Sequence, residues 1–62
     1  MAKSTLYCNR AMAHLQLDNW QLAEADASSC LDLDPASAKG YLRRGTARRE
    51  MHQYAEAVGG QG

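Results

Sequence analysis

No stretch of this 62-residue sequence is apolar for long enough to cross a bilayer, which takes about 20 consecutive residues. The opening Met1-Ala2-Lys3-Ser4 is not followed by the apolar region of a secretory signal. The expected address is the cytosol or the nucleus, and the chain reads as cut from something longer. Cysteine is scarce. Cys8 and Cys30 could form one bridge, but they mark no secreted disulfide framework and match no metal spacing. They are expected as small, mostly buried thiols in a reducing compartment. A Gly-rich phosphate loop is missing. Cys8 and His14 do not share a helix face well, and no acid is placed to orient Cys30 with His52. Thiol catalysis and a Cys/His metal site are therefore both disfavoured. These absences point to a binding protein rather than an enzyme, with no cofactor and no metal expected. At this length a single core is also marginal without a staple or a partner chain.

Net charge is absent too: seven basic residues balance seven acidic ones. The balance hides a segregation. From Met1 to Leu17 the only charges are Lys3 and Arg10. From Asp18 to Asp34 come Asp18, Glu24, Asp26, Asp32 and Asp34, all acidic; from Pro35 to His52 come Lys39, Arg43, Arg44, Arg48 and Arg49 against a lone Glu50. The sign alternates helix by helix, so a stack of these helices would carry a basic surface able to attract an anion.

A first helix is expected from about Ser4 to Leu17, with Leu6, Cys8, Ala11, Met12 and Leu15 as its apolar residues. Asp18-Asn19 stops it. Asp18 reads as the N-cap of the next helix, with Gln21 three residues on and Leu17 placed to staple against Leu22. That second helix carries Leu22, Ala23, Ala27, Cys30, Leu31 and Leu33 to the Asp34-Pro35 break, because proline lacks the helical donor and pushes its predecessor out of helical geometry. Ser37 is the expected N-cap of a third helix ending near Met51. Gly40 and Gly45 inside it each cost about 1 kcal/mol relative to alanine, which close approach to another helix would offset. A fourth helix is expected to open near Tyr54 and to be cut off by Gly59-Gly60-Gln61-Gly62, a linker tail, native or added.

Moved along by 34 residues, the chain overlays itself. Tyr41 falls on Tyr7, Arg43 on Asn9, Arg44 on Arg10, Gly45 on Ala11, Tyr54 on Trp20 and Ala57 on Ala23. A self-match at that period, with two helices and a turn per unit, is the signature of the tetratricopeptide repeat. From about Ser4 to Val58 the chain resembles that family, with one full repeat over 4–37 and the first helix and opening turn of the next over 38–58. The resemblance implies an all-α fold, a helix-turn-helix solenoid fragment of about three helices plus the start of a fourth. Pro35 meets the family's closing proline. Asp18 and His52 depart from the usual inter-helix glycine, although both residue types tolerate left-handed backbone better than most. Ala27 stands in place of a large aromatic and predicts thin packing there, and His14 and Arg48 stand where a tyrosine is common. Trp20 and Tyr54 read as helix-packing aromatics, with a partner-pocket role as the lesser alternative.

Lys39 and Arg43 lie four apart and so project from one helix face, and Asn9 is one repeat back from Arg43. An ammonium, a guanidinium and a carboxamide converging on one groove suit a carboxylate, above all a chain terminus. Asn9-Arg10-Ala11 and Lys39-Gly40-Tyr41-Leu42-Arg43-Arg44-Gly45 are similar to the carboxylate-clamp subclass of these repeats. Its members are co-chaperones that grip the C-terminal Glu-Glu-Val-Asp of seventy- and ninety-kilodalton heat-shock chaperones. By that resemblance Asn9, Lys39 and Arg43 are three of five clamp residues, with Arg44 and Arg48 as accessory basic groups. Two other readings stay open. One is a purely structural or self-associating repeat. The other is a polyanion surface, against which stands the lack of aromatics interleaved with the basic strip. Because a repeat buries its apolar face only against neighbours, Leu6, Tyr41, Leu42, Met51 and Tyr54 are expected to be left partly without partners, and a homodimer is expected at high concentration.

Overall fold

The computed structural model describes residues 3–59, as three helices: α1 (Lys3–Gln16), α2 (Trp20–Leu33) and α3 (Ala38–Gly59). No strand occurs among the described residues. α2 packs along both other helices, while α1 meets α3 only over a short stretch. The result is an elongated body of 45 × 20 × 13 Å.

The α1–α2 turn forms where expected, with the two polar residues in different roles. Asp18 is the residue with left-handed backbone, at φ 60°. The Asp18 amide donates to the Leu15 carbonyl at 3.1 Å and the Asn19 amide to that of His14 at 2.8 Å, the paired bonds of a Schellman stop. A residue held in that conformation cannot also act as an N-cap, so Asn19 takes the cap position of α2, without a side-chain capping bond. Leu17 and Leu22, expected to staple the turn, stay 69% and 54% exposed.

Pro35 breaks the chain after α2, and the Ala36 amide donates to Asp34 Oδ1 at 3.2 Å to shape the corner. Ser37 caps α3 as expected, its Oγ accepting the Gly40 amide at 3.0 Å. Beyond that the third helix departs from expectation. It runs unbroken through His52 to Gly59, so there is no turn near His52 and, among the described residues, no separate fourth helix; Gly60, Gln61 and Gly62 of the expected tail lie outside the described residues. The reason is local. Met51 to Ala57 contains no glycine or proline, and His52 pairs with Glu56 at 3.3 Å along the same helix. At 1.5 Å per residue, the 22 residues of α3 overreach the 14 of α2 by about 12 Å.

The core is built from small residues: Cys8, Ala11, Ala23, Ala27, Cys30, Leu31 and Ala47. Ala27 is fully buried where a large aromatic would stand, so the helices approach closely. Gly40 shows how closely, since a Cβ there would sit 2.9 Å from Leu31 Cδ2 and 3.3 Å from Cys30 Sγ. Gly45 differs: a Cβ there would meet nothing within 4 Å, so close packing does not offset its cost. Leu6, Tyr41, Leu42 and Tyr54 are 49%, 52%, 66% and 61% exposed, as expected of residues left partly without partners, and Met51 is half-buried. Met12 and Leu33, expected on apolar faces, are also exposed.

Candidate functional site

Cys8 on α1 and Cys30 on α2 face each other with Cα atoms 5.8 Å apart and are joined as a disulfide, which corrects the expectation of two thiols. The turn between α1 and α2 folds the two helices back on each other and brings these residues, 22 apart, face to face, a proximity that sequence spacing alone does not reveal. Such a bond persists in oxidising surroundings; in a reducing compartment the same two residues would be buried thiols in contact. Ser37 Oγ lies 3.7 Å from Cys8 Sγ and 3.6 Å from Cys30 Sγ, so one hydroxyl touches both sulfurs while capping α3.

Beside this junction is a small cavity of about 100 Å³, lined by Ser4, Thr5, Cys8, Asn9, Asp34, Ser37 and Lys39. Two expected site residues, Asn9 from α1 and Lys39 from α3, are therefore brought to one opening. Arg43 is not in that lining. It lies one turn further along α3, half-buried, with its Nε and Nη1 shielded from solvent and without a hydrogen-bond partner among the described residues. Asp34 puts a carboxylate into the same lining, where the Ala36 amide already holds one of its oxygens.

Arg48, Arg44 and Arg10 are engaged elsewhere. Arg48 Nε is paired with Glu24 of α2, and the Arg44 guanidinium lies 5.4 Å from the centre of the Tyr41 ring. Arg10 stacks on Tyr7 at 5.7 Å, and its Nε is 3.4 Å from Asp26 Oδ2. His14 Nε2 is 3.3 Å from the same oxygen. Asp26 is only 8% exposed, and these contacts have ion-pair distance without hydrogen-bond geometry. Part of the helix-by-helix charge alternation thus closes on itself: acids of α2 are answered by bases of α1 and α3. His14 and Arg48, at equivalent places in the repeat, both reach an acid of α2.

A larger open cleft of about 680 Å³ lies at the other end, lined by Asp18, Asn19, Trp20, Gln21, Leu22, Met51 and Tyr54. Trp20 and Tyr54 pack across it with ring centres 5.6 Å apart and planes at 58°, as helix-packing aromatics. Sequence reasoning allowed Trp20 and Tyr54 a pocket only as the lesser alternative, and the shape of this cleft depends on α3 running straight past His52. Among the described residues no group of three or more His, Cys, Asp or Glu side chains could hold a metal ion, and no helix is long and apolar enough to cross a membrane.

Protein SGT1 homolog of Oryza sativa subsp. japonica is 46% identical to this chain over 59 residues, 92% of the chain and 16% of the relative. Serine/threonine-protein phosphatase T of Aspergillus oryzae is 41% identical over 54 residues, 87% of the chain and 11% of that enzyme. TPR and ankyrin repeat-containing protein 1 of Homo sapiens is 39% identical over 55 residues, 89% of the chain and 2% of the relative. A sequence that repeats at 34 residues and folds as a helix pair followed by a third helix meets here with a relative named for that repeat. These relatives and the 34-residue period together support a tetratricopeptide-type repeat. No family model and no solved structure matches it. The chain spans less than a fifth of each of these relatives, so their whole-protein activities are not carried over to it. What the tetratricopeptide assignment carries is a protein-interaction role for a helical repeat.

Proposed function

We propose that this repeat binds the acidic C-terminus of a partner protein, of the Glu-Glu-Val-Asp type borne by seventy- and ninety-kilodalton heat-shock chaperones, as part of a co-chaperone. The observation that carries the reading is Arg43. Shielded guanidinium nitrogens with no partner are costly unless an anion completes them, and Arg43 sits one turn from a cavity lined by Asn9 and Lys39. Lys39 supplies a second positive charge at the mouth and Asn9 a neutral donor, a set suited to one terminal carboxylate and an acidic side chain beside it. No bond is made or broken, and the role is recognition.

Each charge-assisted hydrogen bond contributes about 1.5–3 kcal/mol, so three residues without the rest of a five-residue clamp give weak affinity, about 100 μM to 1 mM, falling as salt screens the charges. The test is a calorimetric titration of a Glu-Glu-Val-Asp peptide and of its C-terminal amide at low salt. The free acid should bind and the amide should not. Arg43→Ala should lower affinity by roughly tenfold, while Arg49→Ala, about 240° round the helix, should leave it nearly unchanged. Equal binding of acid and amide would remove the carboxylate reading and leave a structural repeat. Equal losses from the two arginines would favour a diffuse polyanion surface.

A further inference from the structure

The disulfide lies at the small cavity, and the carboxylate reading makes no use of it. Cys8 lines that cavity and is 4% exposed, next in sequence to Asn9, while Cys30 is fully buried. The two sulfurs sit where all three helices meet. Ser37 Oγ lies within 3.7 Å of both and accepts the Gly40 amide, so it fixes the turn of α3 that carries Lys39. Gly40 faces Leu31 and Cys30 Sγ with no room for a Cβ. The helix bearing Asn9 and the turn bearing Lys39 therefore both rest on the two sulfurs. Breaking the bond leaves two thiols in van der Waals contact, which need more space than bonded sulfurs in a closely packed core. That space comes from α1, from the start of α3 or from the cavity itself, and each of the three belongs to the site.

We propose that the Cys8–Cys30 pair is a redox switch on the peptide site: the disulfide form binds the acidic C-terminus, and the dithiol form binds it weakly. The inference rests on the carboxylate reading above. The couple that works the switch is a small thiol and its disulfide, of the glutathione class. Cys8 is the sulfur that reaches the cavity, so an incoming thiolate attacks it, forms a mixed disulfide there and releases Cys30 as thiolate. A second thiolate attacks the small-molecule sulfur of that mixed disulfide and releases Cys8. The protein gains two electrons and two protons, and the two small thiols leave as one disulfide. Oxidation runs the same steps in reverse. A peptide terminus bound at the cavity covers the opening to Cys8, so it favours the disulfide at equilibrium and slows its reduction.

Calorimetry tests the switch, with the Glu-Glu-Val-Asp free acid and its amide titrated into the whole chain, oxidised and then reduced with a phosphine. The oxidised chain should bind the acid roughly tenfold or more tightly than the reduced chain, whose binding-competent form is less populated. Cys8→Ser with Cys30→Ser should bind at the weak level with or without reductant. In glutathione buffers, saturating acid peptide should move the equilibrium toward disulfide by the same factor as the ratio of the two affinities, and the amide should not. That shift reads the coupling whether the reduced chain stays helical or melts, which circular dichroism on the same samples records. Reduction of the oxidised chain, followed by trapping freed thiols, should also be slower with the acid bound. Equal affinity of the two redox states for the acid would overturn the proposal, as would a bound peptide that leaves the equilibrium unmoved. Acid and amide binding the oxidised chain alike would remove the carboxylate reading itself, and the switch with it.

Discussion

Ala11 and Gly45 occupy the same place in the repeat, 34 residues apart, yet Ala11 is fully buried and Gly45 faces open space. Ala23 and Ala57 differ in the same way, the first fully buried on α2 and the second exposed on α3. The residue types are nearly matched within each pair. What differs is the neighbour: α1 turns at Asp18 into a helix that packs back on it, whereas α3 continues through His52. A small residue in this repeat is therefore a permission for contact, and the contact itself comes from the chain that arrives there.

The contrast can be broken most forcefully at its closed end. The Cys8–Cys30 bond ties α1 to α2 across 22 residues, and a crosslink closing a loop of that length contributes about 3 kcal/mol by constraining the unfolded chain. Reduction with a dithiol should lower the urea midpoint accordingly and, in so small a fold, melt much of the helix seen by circular dichroism. An unchanged midpoint would mean that the helix pair holds without its bridge.

Gly40→Ala comes next. Its Cβ would press on Leu31 and Cys30 inside the core, and overpacking should outweigh the gain in helix propensity, costing about 1–2 kcal/mol net in thermal or urea unfolding. Gly45→Ala should have the opposite sign and the smallest size, stabilising α3 by up to about 1 kcal/mol, because the added methyl meets nothing. Measured at concentrations below any dimerisation, the two substitutions form a matched pair. Effects of the same sign would mean that the two glycines do not differ as the closed and open halves require.

Much of this was legible in the residues. Pro35, the Ser37 cap and the need for a small residue at Gly40 are local demands, stated by chemistry within a few positions, and they appear where expected. The exposed Tyr41, Leu42 and Tyr54 followed from counting the helices available to cover them. The misses are all non-local or compete with something local. Asp18 could cap a helix or adopt left-handed backbone, and only the hydrogen bonds to Leu15 and His14 decide between them. His52 was expected to turn because Asp18 does, but with a helix-favouring run after it and Glu56 one turn on, it has no local cause to break. The disulfide and the pairs Arg48–Glu24 and His14–Asp26 join residues on different helices, which periodicity cannot pair. Of the proposed anion site, Asn9 and Lys39 at one opening follow from the repeat register, whereas the Asp34 carboxylate in the same lining does not.

The straight α3 also sets how the molecule breathes. Its first half lies against α2 and its backbone amides can open only when that packing gives way. Beyond Glu50 the helix has Trp20 at one side and solvent on the others. Amide exchange should therefore run as a gradient along one continuous helix, slow at Leu42 to Ala47 and fast by Ala55 to Ala57, with no boundary at a loop to mark the change. A single secondary-structure element would then hold two levels of local stability, and only its firm end would report the stability of the fold.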